Sequence, residues 1–197
     1  MDVSSPRRTA TRGRIDKRAA ILDAAFTVFA RRGYDQACVQ EIADEAGVAK
    51  PTVYNHLTDK ETLFRHATET VAEAVRTDSL AVVERLREPG ELRAALADVG
   101  LGLLRIYSDD RSRALRRLTG SAGCSWVDEA LADRFARLCL TGRLRQCDPA
   151  VAAEQFLALL TGPWEGRSRK ESTVDIEAVV NAAVDTFLRA FGIAAPG

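Results

Sequence analysis

The sequence has few of the features on which catalysis and metal binding depend. It contains only two histidines, and it shows neither a glycine-rich phosphate loop nor a nucleophile motif. Its four cysteines, Cys38, Cys124, Cys139 and Cys147, are not spaced as zinc ligands. Because these residues assemble no catalytic constellation, we predict that the chain is not an enzyme and uses no metal or cofactor.

Long apolar runs are also missing. No stretch approaches the roughly 18 apolar residues that a membrane-spanning helix needs, and no apolar segment follows the first arginines as a signal peptide requires. We therefore expect a cytoplasmic protein with no membrane partner. In a reducing compartment the cysteines are expected to be buried small hydrophobic residues, with redox sensing as the less favoured alternative.

Aromatic residues are scarce, at 6% of the chain, whereas apolar residues as a whole make up 46%. Alanine, leucine and arginine are abundant, and these residues lose little conformational freedom in a helix. No segment alternates apolar and polar residues as a strand does. The composition therefore predicts an all-α protein with enough residues for one or two domains.

The formal net charge is zero, but the charge is unevenly distributed. Between Arg7 and Arg18 there are six basic residues and a single acid, Asp16. Residues 1–13 are polar and show no apolar periodicity, which predicts a flexible basic arm. Such an arm attracts phosphate or enters a minor groove; a solvated tail without a role is the alternative.

Apolar spacing and helix-ending residues predict three helices near the N-terminus. The first begins near Ile15 and ends at Gly33. The second covers Val39–Glu45, and the third begins near Lys50 with Pro51 in its first turn, where the missing N–H costs nothing. Three helices within so few residues predict a small domain.

The remainder of the sequence predicts a larger helical bundle. Thr58 and Glu61 have the spacing of a capping box, which opens a long helix towards Leu86. Gly100 and Gly102 lie within the next helix, where they permit close helix contact or leave room for a ligand. The predicted segments after residue 90 are helices over about 91–107, 109–120, 125–143, 148–160 and 176–191, with a polar loop over 162–173.

Residues 39–56 have the pattern of a helix-turn-helix. The two helices of this motif cross steeply, so their contact needs a small residue, here Ala43, and their turn a residue that accepts positive φ, here Gly47. Three apolar residues that fix the crossing angle are also present: Ile42, Val48 and Val53. The alternative is an ordinary pair of short helices.

The segment from Phe29 to Leu63 resembles the N-terminal domain of TetR-family repressors. The matching features are Phe29, Gly33-Tyr34, Ile42-Ala43, Gly47-Val48, Tyr54 and Lys60-Glu61-Thr62-Leu63. The chain departs from the family at Cys38 and Ala49, where many members place a capping or phosphate-contacting Ser or Thr, and at Leu57, where an aromatic is usual. Residues 138–160 are loosely similar to one C-terminal subtype of the family.

The resemblance implies a DNA-binding helix-turn-helix domain of three helices over residues 14–60 and a helical ligand-binding and dimerisation bundle over residues 61–197. It implies a transcriptional repressor that binds an inverted-repeat operator in double-stranded DNA as a homodimer. A small, mainly apolar effector would release it by moving the fourth helix. Two alternatives stay open: a helical protein-interaction module without DNA binding, and an activating or ligand-independent regulator of the same fold.

The third helix is expected to lie in a major groove, where residues near its N-terminal end meet base edges. Lys50, Thr52 and Asn55 are the candidate base readers. By the resemblance, Tyr54, His56 and Lys60 contact the phosphate backbone. The full predicted DNA-binding set is Gln40, Lys50, Pro51, Thr52, Tyr54, Asn55, His56 and Lys60.

Two further sets of residues are predicted for the C-terminal bundle, and ordinary core packing is the alternative for both. The predicted effector pocket is lined by Leu96, Val99, Leu103, Tyr107, Leu118, Trp126, Phe135 and Trp164. The predicted four-helix dimer interface consists of Phe156, Leu159, Leu160, Val180, Val184, Phe187 and Leu188.

Overall fold

The computed structural model describes residues 7–56, 59–87, 90–120, 125–168 and 174–193. Over these residues the regular elements are α-helices, as the composition predicted. They are α1 (Arg7–Gln36), α2 (Val39–Glu45), α3 (Lys50–His56), α4 (Lys60–Glu84), α5 (Leu92–Ser108), α6 (Asp110–Thr119), α7 (Ser125–Leu140), α8 (Pro149–Ser168) and α9 (Ile176–Phe191). None of the helices in these ranges has both the length and the hydropathy that crossing a bilayer requires.

The helices divide into two compact units. The first comprises Met1–Glu73 together with Arg113–Ser121, and the second comprises Ala74–Ser112 with Ala122–Gly197. The first boundary between these units falls inside α4. The apolar periodicity of α4 continues across this boundary, so the sequence carries no mark of it. The division into domains at residue 60, which the resemblance implied, stays a prediction.

Helix α1 begins earlier than the sequence pattern indicated. The backbone is helical from Arg7, so the expectation of an irregular arm over residues 1–13 is wrong from that residue onwards. Arginine and alanine favour helices without forming an apolar stripe, and the periodicity argument missed them for that reason. At the other end, Gly33 has φ 77° and breaks the helix, as expected.

An aromatic cluster organises the first unit. The ring of Phe29 meets that of Phe64 edge to face at 5.0 Å, and Tyr34 meets Phe64 at the same centroid distance. Edge-to-face pairs of this kind stabilise a fold beyond the area they bury. They fix α1 and the turn after it against the first turns of α4.

Helix α4 is capped by a different residue from the one predicted. It begins at Lys60, and the carboxylate of Asp59 accepts the N–H of Thr62 at 2.7 Å. The predicted cap, Thr58, lies outside the described residues, and the helix bounds place the cap one residue later than the predicted capping box. Asp and Thr are both good N-caps, so adjacent candidates are hard to separate by sequence.

The second unit is built on α5, α7, α8 and α9, which pack against one another. Four phenylalanines lie at its centre, with the ring centroids of Phe135, Phe156 and Phe187 5.1–5.8 Å apart and Phe191 a further 4.9 Å from Phe187. All four are at least nine-tenths buried. Four of the seven phenylalanines of the sequence thus lie in this core.

Two glycines of α5 permit close contact between helices. A Cβ atom on Gly102 would lie 2.8 Å from a methyl of Val82 on α4, and one on Gly100 would lie 3.1 Å from a methyl of Val180 on α9. Both distances are shorter than ordinary carbon contacts. Of the two interpretations that the sequence left open, close helix contact is the one the structure supports.

Helix α8 is longer than predicted and includes a proline. It runs to Ser168, so the loop expected over residues 162–173 begins only after that residue. Pro163 lies inside the helix, where proline normally interrupts the hydrogen bonding. The next residue, Trp164, is only 7% exposed, and burying its large ring favours continuing the helix.

Candidate nucleic-acid interface

Helices α2 and α3 form a helix-turn-helix whose turn is fixed by backbone geometry. Gly47 has φ 65°, a conformation that glycine adopts without strain. The N–H of Gly47 donates to the carbonyl of Asp44 at 3.1 Å, and that of Val48 to Ala43 at 3.0 Å. These bonds close the end of α2 and direct the chain into α3, as the sequence predicted.

The inner surface of the motif is apolar and fully packed. Ile42 and Ala43 on α2 are 0% exposed, and Val53 on α3 is 1% exposed. Val48 in the turn is half-buried. A buried side chain in the middle of a seven-residue helix determines which face of that helix points outwards.

The exposed face of α3 carries four of the predicted DNA-binding residues: Lys50, Pro51, Tyr54 and Asn55. Tyr54 is 45% exposed, which excludes the alternative that it belongs to the core. Residues four apart lie on the same side of a helix, so Lys50 stands next to Tyr54 and Pro51 next to Asn55. At the edges of this face lie two half-buried residues, Thr52 and His56.

The N-terminal turn of α2 contributes an amide and an unusual cap. Gln40 is exposed, and its amide donates to the carboxylate of Asp44 at 2.8 Å. The sulfur of Cys38 accepts the N–H of Glu41 at 3.4 Å, so cysteine occupies the cap position where the resemblance implied a serine or threonine. Sulfur is a weak acceptor, so this cap stabilises α2 less than a hydroxyl would.

Two arginines of α1 form ion pairs with two glutamates of α2. Arg31 donates to Glu41 at 2.9 Å and to Glu45 at 3.4 Å, and Arg32 reaches Glu41 at 3.2 Å. The hydrogen bond from Arg31 lowers the pKa of Glu41 and outweighs the opposing effect of burial. The carboxylate therefore stays charged and paired. This arrangement neutralises acids that would otherwise repel a phosphate backbone.

Lys60 has an intramolecular role that the sequence did not predict. Its ammonium donates to the carbonyl of Asp35 at 3.1 Å and lies 4.8 Å from the ring centroid of Tyr34. It thus ties the turn after α1 to the start of α4. A phosphate contact by Lys60 remains a prediction, because a flexible ammonium can exchange one oxygen partner for another.

The predicted effector-pocket residues fall into three groups. Buried in the core of the second unit are Leu96, Val99, Leu103, Phe135 and Trp164. Tyr107 and Trp126 are partly buried and pack against that core. Leu118 belongs to the first compact unit, whereas the other seven belong to the second.

Beside this core, α5 and α8 present a polar group that sequence reasoning missed. The hydroxyl of Tyr107 donates to the carboxylate of Glu165, and the Tyr107 ring meets Trp164 edge to face at 5.7 Å. Both Tyr107 and Glu165 are half-buried. No sequence signal pointed to Glu165, because residues 162–173 were predicted to form a loop and not part of a bundle helix.

A half-open groove of about 290 Å³ also lies on the second unit, and it shares no residue with the predicted pocket. It is lined by Leu86, Arg87, Gly90, Arg137, Leu138, Thr141 and Arg143. The lining contains two leucines and three arginines. The groove lies beside the C-terminal ends of α4 and α7.

Most of the predicted dimer-interface residues are already buried within one chain. Phe156, Leu160, Val180, Val184 and Phe187 are 0–2% exposed and belong to the core. Leu159 and Leu188 are half-buried. The prediction for the five buried residues is therefore corrected: their apolar faces pack against α5 and α7, and the outward faces of α8 and α9 carry other residues.

The cysteines differ from one another in exposure. Cys139 is buried and Cys147 half-buried, but Cys38 is exposed at the start of α2, where the expectation of burial is wrong. Cys124 lies outside the described residues. Among the described residues no group of three or more His, Cys, Asp or Glu side chains is arranged to hold a metal ion.

The fold and the exposed face of α3 define a helix-turn-helix transcriptional regulator. Residues 21–67 match the family model described as bacterial regulatory proteins, tetR family. Residues 91–193 match the one described as AefR-like transcriptional repressor, C-terminal domain. The chain belongs to the TetR family.

Relatives of known name agree with this assignment. The transcriptional repressor AcnR of Corynebacterium efficiens is 26% identical over 89% of this chain and 94% of its own. The regulator BetI of Rhizobium meliloti is 28% identical over 89% and 91%. Two other relatives are matched over less than two thirds of their own length. The match covers 23% of the activator FasR of Mycolicibacterium smegmatis, at 47% identity. It covers 60% of the regulator YezE of Bacillus subtilis, at 31% identity.

Solved structures show the same architecture over almost the whole chain. A TetR-family regulator from Mesorhizobium loti superposes with a TM-score of 0.80 at 28% identity, covering 91% of this chain and 98% of its own. The flavonoid-responsive regulator FrrA superposes with a TM-score of 0.65 at 25% identity, covering 91% and 99%. The helical C-terminal unit is therefore shared, as well as the helix-turn-helix.

Proposed function

We propose that the chain is a dimeric repressor that reads an inverted-repeat operator with α3 of each protomer. The observation that carries this proposal is the outward face of α3, where Lys50, Tyr54 and Asn55 are exposed opposite the buried Val53. Lysine donates to guanine O6 and N7, and asparagine pairs with the edge of adenine. The hydroxyl of Tyr54 is suited to a phosphate oxygen, which fixes the register of the helix.

The remaining predicted contacts surround this face. We assign Thr52 to a base edge, and His56 and Lys60 to the phosphate backbone beside it. Gln40 is assigned to a base or a phosphate; to reach either, its amide must release Asp44. One such unit makes few contacts, and a two-fold dimer doubles them on one face of the duplex.

We place the dimer interface on the outward faces of α8 and α9. On α8 the exposed residues Val151, Gln155, Ala158 and Gly162 recur every three to four positions and so form one stripe. On α9 the exposed Ala178, Ala182 and Arg189 are spaced by four and seven positions, so they lie on one side of the helix. Small residues allow helices to approach closely, which suits a four-helix interface between two protomers.

We propose that the effector is an aromatic, mainly apolar molecule with one hydrogen-bonding group. The half-buried pair of Tyr107 and Glu165 supplies the polar partner, and Trp164 the aromatic surface. The name of the neighbour FrrA, flavonoid-responsive, supports an aromatic class of ligand.

The chain has two tryptophans, so a Trp126→Phe variant reports the fluorescence of Trp164 alone. Quenching by a flavonoid panel, absent in Trp126→Phe/Glu165→Ala, is the expected result.

An activating role is the second candidate, and one relative favours it. FasR, named as an activator, is 47% identical to this chain over 51 residues.

The first experiment is to select binding sites from random DNA duplexes with the purified protein. The recovered site is then placed across a promoter and upstream of one, and transcription in vitro is measured with and without the protein.

Repression from the overlapping site supports the proposal, and stimulation from the upstream site supports the alternative. If no sequence is enriched, the proposed operator binding is wrong. The helical interaction module would then be the better interpretation of this chain.

A further inference from the structure

Two cysteine thiols meet where α7 passes into α8. Cys139 lies in the last turn of α7, and Cys147 lies two residues before α8 begins at Pro149. Their Sγ atoms are 3.6 Å apart, and both cysteines are free. We propose that Cys139 and Cys147 are an oxidative modification site: a dithiol that converts reversibly to an intramolecular disulfide by exchange with a low-molecular-weight disulfide.

The connection between the two helices holds the thiols together. The N–H of Arg145 donates to the carbonyl of Phe191 at 2.9 Å, and its guanidinium lies 5.4 Å from the centroid of the Phe191 ring. Leu144 forms a single bridge with Gly192. The segment between the two cysteines is thus fastened to the end of α9, and the two sulfurs are kept near each other in the reduced protein.

Oxidation requires only a small movement. A disulfide has an S–S distance of about 2.05 Å, so the sulfurs must approach by about 1.5 Å. A change of χ1 moves an Sγ atom by this much without moving the backbone. Cys147 lies outside regular structure and is half-buried, so its side chain has more freedom than that of Cys139, which is 5% exposed.

In the reduced protein Cys139 makes a thiol hydrogen bond that disulfide formation would remove. The thiol of Cys139 donates to the carbonyl of Arg145 at 3.2 Å. That bond uses the S–H hydrogen, which is lost when the disulfide forms. Burial and the contact with Cys139 raise the pKa of the Cys147 thiol, so little thiolate is present near neutral pH and the exchange is slow.

The exchange balances as two successive substitutions. The thiolate of Cys147, the more exposed member, attacks one sulfur of the small disulfide and releases one small thiol, leaving a mixed disulfide on Cys147. The thiolate of Cys139 then attacks the Cys147 sulfur and releases the second small thiol. Two protein thiols are oxidised, one small disulfide is reduced to two thiols, and the protons of the protein thiols end on the released thiols.

The test uses the full chain with Cys38→Ser and Cys124→Ser, which leaves only the proposed pair. The protein is equilibrated in mixtures of reduced and oxidised glutathione, free thiols are alkylated, and peptides are identified by mass spectrometry. The expected result is a linked pair of peptides containing Cys139 and Cys147, lighter by two hydrogen atoms than the reduced pair. Its fraction should follow the ratio of oxidised to reduced reagent and return to zero in excess reductant.

Single substitutions separate this outcome from nonspecific oxidation. In the same background, Cys147→Ser should leave Cys139 fully alkylatable after reduction and give no intrachain link; it replaces a half-buried residue, so it is the variant expected to fold even if Cys139→Ala does not. The proposal is overturned if both thiols stay alkylatable at every reagent ratio, or if the links formed join two chains. It is also overturned if linkage occurs only in denaturant, because the folded geometry would then play no part.

Discussion

Single glycines in this chain have different physical roles. Gly47 provides a positive φ, and an added Cβ there would meet nothing within 4 Å. Gly102 has no special backbone conformation, but an added Cβ would meet Val82. Sequence position separates these cases only partly, because a turn glycine has local signals whereas a contact glycine depends on a side chain from another helix.

The contact at Gly102 is testable by a pair of substitutions. Gly102→Ala gains helix propensity but forces Val82 to move, and overpacking of this kind costs about 1–3 kcal/mol. We expect a net loss of stability in chemical unfolding. Gly166→Ala, at an exposed helical position with nothing within 4 Å, is the matched control and should be neutral or stabilising by up to about 1 kcal/mol.

A second substitution, at Val82, tests whether the contact with this residue causes the loss of stability. Val82→Ala removes the methyls that an alanine at position 102 would meet, so the double variant should lose less stability than the sum of the two single variants. Strict additivity would show that the cost at Gly102 comes from something other than this contact.

At the scale of residues, burial was predictable where a local pattern determines it. Val53 and Ile42 are buried because their apolar side chains form the contact between α2 and α3. Cys38 is exposed because it lies at a helix start, and there its sulfur acts as a hydrogen-bond acceptor. The proximity of Cys139 and Cys147 was not predictable, because it depends on how the loop between α7 and α8 is fastened to α9.

Helix starts show how closely an element can be predicted. The sequence placed α2, α3 and α5 within about one residue of their observed starts, because each has a clear stop or cap. The two larger errors, the start of α1 and the end of α8, occur where tertiary packing or a weakly patterned segment extends a helix. Trp164 is the clearest case: it is buried on α8, although it lies in the segment 162–173 that was expected to be a loop.

The cap of α4 gives a prediction at this scale. Asp59→Ala removes the side chain that accepts from both the N–H and the hydroxyl of Thr62. Loss of an N-cap costs about 1 kcal/mol, so the midpoint of urea unfolding should fall. Asp59→Asn keeps an acceptor and should retain most of the stability; if it is as damaging as alanine, charge and not capping is responsible.

The junction of α1 and α2 should be sensitive to acid. Arg31 lowers the pKa of Glu41 below its ordinary value of 4.5, so the folded state binds a proton less readily than the unfolded state. The stabilisation is present above the unfolded pKa and is lost as pH falls through the folded pKa. Wild-type stability should therefore decline more steeply than that of Glu41→Gln as pH falls below the ordinary glutamate pKa of 4.5.

The effect at Glu41 should be small, because the side chains are exposed to solvent and screened. Thermal unfolding at a series of pH values measures it, with Glu61→Gln, at an exposed glutamate of α4, as the matched control. An identical acid decline in wild type and Glu41→Gln would show that the ion pair does not contribute to stability.

At the scale of the whole molecule, the fold was predictable in outline and the interface was not. All-α architecture and the helix-turn-helix followed from local spacing. The predicted dimer seam used the most apolar faces of α8 and α9, and these pack inside the chain because a single bundle must first bury its own apolar surface. The faces left outside are small and polar, and composition alone does not mark them.

The proposed dimer interface can be tested by one added charge. Ala158→Lys places a long cation on the outward face of α8, where close helix approach would exclude it, so light scattering should show a shift from dimer towards monomer. Ala81→Lys, at an exposed alanine of α4, makes the same change elsewhere on the second unit and should leave the mass unchanged. Equal masses for wild type and Ala158→Lys would place the interface elsewhere.

The central claim is that α3 reads DNA with its exposed face, and affinity for the selected duplex tests it most directly. We would titrate that duplex with wild type, Lys50→Ala and Arg137→Ala at several salt concentrations. Arg137→Ala is the matched control, because it removes one exposed positive charge from the second unit. We predict that Lys50→Ala costs about 1–3 kcal/mol and that Arg137→Ala changes little. Equal losses in the two variants would show that binding depends on overall charge, and would contradict base reading by α3.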